Sequence, residues 1–192
     1  MTAPSFERLS ERTVHQGRIW RLVTARYRAP DHSTFERDIV RSPGAVGVVP
    51  LRFDPEGTPC VVLVAQYRPP YEQTVIEIPA GMRDIEGEDT VAVAHRELVE
   101  EAGLQASRLD LLTQIWPSPG MTDSVTTIYL ATGCTDVPDD RQGPEEEHMT
   151  VETIRLDEAV AMVERGEIRD AKTVVGLLLT ARRLADGDAA VG

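Results

Sequence analysis

Three glutamates, Glu97, Glu100 and Glu101, sit together in the run Arg96-Glu97-Leu98-Val99-Glu100-Glu101-Ala102-Gly103-Leu104. Residues 89–102 fit one short helix, with Asp89 or Thr90 to cap its start and Gly103 to stop it. At about 100° per residue the three carboxylates fall within one arc, roughly a third of the way round. Val91, Ala94, Leu98 and Ala102 occupy the adjoining arc and are expected to dock the helix onto a core. Carboxylates this close repel one another unless a cation lies among them. An oxygen-only donor set suits Mg²⁺, with Mn²⁺ as the alternative, rather than zinc. A solvated acidic face is the other reading, and the surroundings argue against it. The turn Pro79-Ala80-Gly81 precedes the helix, and Gly81 and Gly87 suit a loop that brings backbone close to a ligand. Arg96 stands four residues before Glu100, where it can pin that carboxylate.

The elements that must hold this helix can be traced along the chain. Residues 1–42 read as short β segments: Gly17–Arg28 alternates, Ala29–Ser33 turns and Thr34–Val40 returns. Ser42-Pro43-Gly44 marks a boundary, so the expected division is a 1–42 segment and a 43–192 domain. Ala45–Leu51 and Cys60–Tyr67 are apolar strands joined by a turn at Asp54–Gly57, and Thr74–Ile78 leads into the helix. Leu109–Ile115 and Val125–Ala131 flank a loop, and Val151–Leu156 is a further strand. Asp157–Arg165 and Asp170–Leu184 read as helices with Asp caps. The second carries Val174, Val175, Leu177, Leu178 and Leu179 as its apolar face. Strand runs with three helices, without βαβ alternation, predict an α+β sandwich.

Composition narrows the partners. A net charge of −12 over 192 residues argues against nucleic-acid backbones and anionic membrane surfaces. It also means that a phosphorylated substrate needs metal ions and local arginines to reverse the field at its site. Cys60 and Cys134 are too few for a disulfide framework and lack ligand spacing. The N-terminal residues contain no apolar signal stretch and no run approaches membrane-spanning length, so a cytoplasmic protein is expected.

The acidic helix and its approach resemble the Nudix box: Gly, five residues, Glu, seven residues, then Arg-Glu-apolar-x-Glu-Glu-x-Gly-apolar. Gly81, Glu88, Arg96, Glu97, Leu98, Glu100, Glu101, Gly103 and Leu104 fill it, with one departure: six residues separate Gly81 from Glu88. The resemblance implies a Nudix-type α/β/α sandwich with a mixed sheet plus a small N-terminal β-sheet. It also implies a pyrophosphohydrolase that cleaves a nucleoside diphosphate linked to another group. By the same likeness Glu97 and Glu101 are the main metal ligands, Glu100 assists, the Ala80 carbonyl completes the coordination, and Glu88 supports the loop.

Features outside the box look like the ADP-ribose pyrophosphatase branch. Pro119 lies 16 residues after Gly103 within Ser118-Pro119-Gly120, and Gln66-Tyr67-Arg68, Glu77-Ile78-Pro79-Ala80-Gly81 and Gly166–Thr173 also match. The branch keeps a mobile glutamate that positions water or an extra metal. Here it corresponds to one of Glu145, Glu146 and Glu147, with Glu146 favoured. Arg68, Arg37, Glu77 and Gly120 are the candidate substrate-binding residues. Trp20, Tyr27 and Phe35 are candidates to stack on a base, against ordinary packing. His15, His32, His95 and His148 show no ligand spacing, and His95 is expected on the exposed side of the box helix. Ser124 stands where many branch members carry Glu. The branch implies a homodimer in which residues 1–42 exchange between subunits and each site is built from two chains. The leading expectation is Mg²⁺-dependent hydrolysis of ADP-ribose to AMP and ribose 5-phosphate. The alternatives are another nucleoside diphosphate sugar such as GDP-mannose, or a non-catalytic Nudix ligand sensor.

Overall fold

Two apolar runs, Val46–Leu51 and Cys60–Val64, lack the polar alternation of a strand with one wet face, which predicts burial on both sides. They form the middle of the main sheet in the computed structural model, which describes residues 5–138 and 148–187. The strands are β1 (Glu7–Gln16), β2 (Arg21–Arg28), β3 (Thr34–Arg41), β4 (Ala45–Phe53), β5 (Pro59–Arg68), β6 (Gln73–Glu77), β7 (Ala80–Met82), β8 (Leu104–Gln105), β9 (Arg108–Ile115), β10 (Thr126–Thr132), β11 (Thr135–Asp136) and β12 (Thr150–Arg155). The α-helices among the described residues are α1 (Thr90–Ala102), α2 (Leu156–Glu164) and α3 (Ala171–Ala185), and Pro69–Tyr71 forms one 3-10 turn. The seven-stranded sheet runs β12-β5-β4-β10-β9, with β6 added on β5 and β7 on β4. The pairing of β10 with β4 is parallel and the remaining pairings are antiparallel, so the sheet is mixed.

Side-chain alternation along the central strands feeds two cores. Val49, Leu51, Val61, Leu63, Ile128 and Leu130 pack with Leu156, Ala159 and Leu177 of α2 and α3. On the opposite face Val46, Val48, Val62, Tyr129 and Ala131 pack with Val93, Ala94 and Leu98 of α1. Among the described residues one α-helix therefore covers one face and two the other, which is the α/β/α sandwich expected. Burying a side chain such as Leu98 contributes about 1.5–3 kcal/mol, so α1 is held by its packing and not by propensity alone.

The helices differ from expectation in phase and in capping. Val91 is 37% exposed, and Val93 takes the core position that Val91 was expected to fill. The buried face of α1 is Val93, Ala94, Glu97, Leu98 and Glu101, so the docking arc and the acidic arc overlap. His95 is exposed, as expected. Helix α2 begins at Leu156 with Arg155 at the cap and no side-chain cap bond, so the expected Asp cap is absent. Helix α3 does have its Asp cap, since Asp170 accepts from the Thr173 amide. Its buried face consists of Thr173, Gly176, Leu177 and Thr180, whereas Leu178 is 43% exposed. A Cβ on Gly176 would come within 2.8 Å of Val49, which shows how closely this helix lies on the sheet.

The chain divides into two compact units, Met1–Gly44 with Trp116–Val125, and Ala45–Ile115 with Thr126–Gly192. In the first, β1, β2 and β3 form an antiparallel sheet. The loop before β10 bonds to β3, with Val40 N donating to Met121 O at 2.9 Å and the Thr122 hydroxyl donating to Val40 O at 2.7 Å. Strand β1 was not singled out from sequence because its residues are mostly polar and its register shifts at Arg8/Ser10 and Thr13/His15, which breaks alternation. Within this unit only Val23 and Ala25 are fully buried hydrophobic side chains among the described residues. No described helix is long and apolar enough to cross a membrane.

Candidate functional site

The approach to α1 is shaped by close contacts. Six residues separate Gly81 from Glu88, and the added residue is taken up in a turn where Glu88 N donates to Ile85 O at 3.2 Å. Gly87 occupies that turn with φ +79°, a left-handed conformation that costs glycine little. A Cβ on Gly81 would lie 2.0 Å from Glu97 Oε1, so any larger residue would displace this carboxylate. The Ala80 amide donates to Glu101 Oε2 at 2.7 Å. Glu97 and Glu101 are 5% and 4% exposed. They are thus buried carboxylates placed one helical turn apart against the Ala80–Gly81 backbone.

Arg96 gathers the surrounding acids. Its guanidinium lies 2.8 Å from Glu97, 3.0 Å from Glu100, 3.4 Å from Glu88 and 3.7 Å from Asp84. The i,i+4 pairing of Arg96 with Glu100 is the one expected, and Glu88 reaches the helix through the same guanidinium. Burial pulls the Arg96 pKa down, but Glu97, Glu88 and Glu100 outweigh it and hold it above its ordinary value.

The donor chemistry fits a hard divalent cation. Glu97, Glu100 and Glu101 could supply carboxylate oxygens and Ala80 a backbone carbonyl, with no thiol or imidazole in that set. Among the described residues, no three His, Cys, Asp or Glu side chains are gathered into a ready cage. Mg²⁺ does not require one, because it keeps several waters and is held by one or two carboxylates together with substrate phosphates.

A second ionic group, centred on the buried Glu77, lies on β5, β6 and the start of α3. Arg68 Nε and a terminal nitrogen donate to the two oxygens of Glu77 at 2.7 and 2.9 Å, a bidentate pair. Lys172 also donates to Glu77, and to Asp170 at 3.0 Å. Burial pushes the Glu77 pKa up, but Arg68 and Lys172 outweigh it and hold it below its ordinary value of 4.5. Glu77 raises the Arg68 pKa against burial, and Glu101 and Asp170 add to this through space. Arg68 therefore lies within electrostatic reach of Glu101 on α1. Lys172 and Thr173 were not singled out individually from sequence, although the segment Gly166–Thr173 that contains them was, and Asp170 was expected only as the cap of α3.

In the N-terminal unit the structure brings Arg37, Gly120, Tyr27 and Phe35 to one cavity of about 650 Å³, with Phe6 and Trp116 on its walls. Tyr27 and Phe35 stack at 5.6 Å, Phe6 meets Phe35 edge-on at 6.0 Å, and the Arg37 guanidinium lies 4.7 Å from the Phe35 ring. Ser124 also lines this cavity. Trp20 does not line it and lies against His15 instead. Phe6 and Trp116 were missed because nothing in their local sequence sets them apart. Glu145, Glu146 and Glu147 lie outside the described residues. Burial pushes the Cys134 thiol up to about 11, and Cys60 is buried.

The NUDIX domain model matches residues 41–175, and the chain belongs to that family. It is 36% identical to an ADP-ribose pyrophosphatase of Mycobacterium tuberculosis, over 93% of this chain and 84% of the relative. It is 33% identical to an ADP-ribose pyrophosphatase of Bacillus subtilis, over 88% and 89%. It is also 34% identical to a methanol dehydrogenase activator of Bacillus methanolicus, over 85% and 86%. In fold it is similar to a crystal structure of an ADP compounds hydrolase, with a TM-score of 0.80 at 20% identity over 98% of both chains.

Proposed function

We propose that this chain, a Nudix pyrophosphohydrolase, is a Mg²⁺-dependent ADP-ribose pyrophosphatase that yields AMP and ribose 5-phosphate. The observation that carries the reading is the pair of buried carboxylates, Glu97 and Glu101, held against the Ala80–Gly81 backbone with Arg68 in electrostatic reach. The names of two relatives, each matched over most of both chains, support the choice of substrate. A diphosphate resists attack because its own charge repels the incoming water. A bound divalent ion neutralises that charge and lowers the pKa of a coordinated water.

This chain's residues then have separate tasks. Glu97 and Glu101, with the Ala80 carbonyl, supply the oxygen donors and Glu100 assists. Arg68, aligned by Glu77, holds a phosphate oxygen. Glu146 is assigned the proton of the attacking water as its oxygen bonds to one phosphorus and the bridging oxygen leaves with the other phosphate. In the N-terminal unit, the Tyr27–Phe35 stack beside Arg37 offers flat apolar surface and a cation suited to a nucleoside base. Ser124 supports a second reading, in which another nucleoside diphosphate sugar such as GDP-mannose is preferred.

Screening the purified chain with Mg²⁺ against a panel of nucleoside diphosphate sugars tests the choice. AMP release from ADP-ribose at the highest kcat/KM is expected, and faster turnover of GDP-mannose would establish the second reading. The N-terminal unit is further proposed to join two copies into a homodimer. It leaves Phe6, Val14 and Trp20 65%, 50% and 46% exposed, and so small a sheet buries little by itself. Sedimentation at micromolar concentration is expected to show a dimer, and a fully active monomer contradicts this.

A further inference from the structure

The segment Gly166–Thr173 supplies none of the groups assigned so far, yet the start of α3 reaches directly into the turn that presents Ala80. Four consecutive residues of that turn are tied down, each by a different partner. Glu77 pairs with Arg68 and Lys172. The Ile78 amide, left without a ladder partner where β6 ends, donates to the Thr173 hydroxyl at 2.8 Å. Pro79 O accepts from Val48 N at 2.9 Å, and the Ala80 amide donates to Glu101. Thr173 is itself fixed, since its hydroxyl donates to Asp170 at 2.7 Å and its amide donates to the same oxygen at 3.0 Å. Thr173 and Ile78 are both 0% exposed, so no water competes for this bond.

We infer that Thr173 and Lys172 are positioning residues for the hydrolytic site, an inference that rests on the functional reading above. Thr173 fixes the backbone that sets Ala80 against Glu101. Lys172 shares Glu77 with Arg68 and so fixes the direction of the Arg68 guanidinium. The cap of one helix is thereby coupled across the sheet to the donors beside α1. A hydroxyl is required at position 173 because it must accept from Ile78 and donate to Asp170 at once, which neither an apolar residue nor an ammonium can do.

The test compares Thr173→Val, Thr173→Ser and Lys172→Met by Mn²⁺ titration of the metal-free full chain, amide exchange and steady-state kinetics. Thr173→Val is expected to weaken Mn²⁺ binding about tenfold, the size usual for groups that orient metal ligands. It should also speed exchange of the Ala80 amide, which Thr173 does not touch, while Thr173→Ser keeps wild-type behaviour. Lys172→Met, with the Thr173–Ile78 bond intact, should keep Mn²⁺ affinity and raise KM for ADP-ribose more than it lowers kcat. Thr173→Ala makes the same comparison without added bulk should the valine variant not fold. If neither folds, or if a folded variant binds Mn²⁺ and protects Ala80 as the wild type does, the inference is overturned. If the wild type hydrolyses no nucleoside diphosphate sugar, the functional reading fails, while Mn²⁺ binding and Ala80 exchange still decide the positioning role.

Discussion

The same unit carries two partly buried ionic groups that differ in balance. Around Arg96 four carboxylates, from Asp84, Glu88, Glu97 and Glu100, converge on one guanidinium. Around Glu77 two cations and two carboxylates alternate: Arg68, Glu77, Lys172, Asp170. The balanced group compensates its own charges, and its bidentate, charge-assisted bonds give it one geometry from which Arg68 can meet a phosphate. The acidic group carries a surplus that a divalent cation would complete. On the proposed function, surplus charge, more than the number of charges, separates the group assigned to chemistry from the group assigned to alignment.

That contrast sets the expected size of each mutational effect. Glu97→Gln and Glu101→Gln should each lower kcat on the order of 10³-fold, because several kcal/mol of transition-state charge stabilisation depend on the donors they remove. Thermal stability of Glu101→Gln should hold or rise, since a repelling charge is lost while the side-chain oxygen can still accept from Ala80, whereas Glu97→Gln also gives up its ion pair with Arg96. Near-normal rates with Mg²⁺ in either variant break the assignment. Arg68→Gln should act on binding: loss of a charged hydrogen bond is worth about 1.5–3 kcal/mol, so KM should rise roughly ten- to a hundredfold. A fall confined to kcat would place Arg68 among the transition-state groups instead.

Glu77→Gln sharpens the other side of the comparison through pH. The folded-state pKa of Glu77 lies below its ordinary value of 4.5. Its charge therefore contributes stability that is present above about pH 4.5 and is lost as pH falls through the lower folded value. The variant should melt earlier than wild type at neutral pH, and the gap should close as the solution is acidified below that range. A gap that stays constant down to strong acid shows that the pairing with Arg68 and Lys172 is not what holds this carboxylate. The smallest effect is expected at Arg37→Ala, where loss of a cation over the partly exposed Phe35 is worth about 0.5–1 kcal/mol, or roughly two- to fivefold in KM.

Much of the acidic group was legible in the sequence because its spacing is helical and its residue types are chemical. Glu97, Glu100, Glu101 and Arg96 fall on one helix, and a single local pattern contains them. What the sequence did not show was that Glu97 and Glu101 are also core residues. Val93 in place of Val91 turns the helix so that its acidic and packing faces merge, a phase that only the sheet beneath decides. The balanced group was harder to read. Arg68 and Glu77 lie nine residues apart, Lys172 lies 95 residues beyond Glu77, and Asp170 stands two residues before Lys172. No period links them; β5, β6 and α3 bring them together. The fold class followed from the apolar runs of β4 and β5 and from the order of elements, whereas polar, irregular β1 gave no alternation to read.

The most direct test of the central claim is AMP release from ADP-ribose by the wild type and by Glu97→Gln and Glu101→Gln, with Mg²⁺ and then with the metal chelated. The account predicts hydrolysis by the wild type with Mg²⁺, its loss on chelation and its return when the ion is restored, with both variants nearly inactive throughout. Turnover that survives chelation, or that either variant retains, would contradict it.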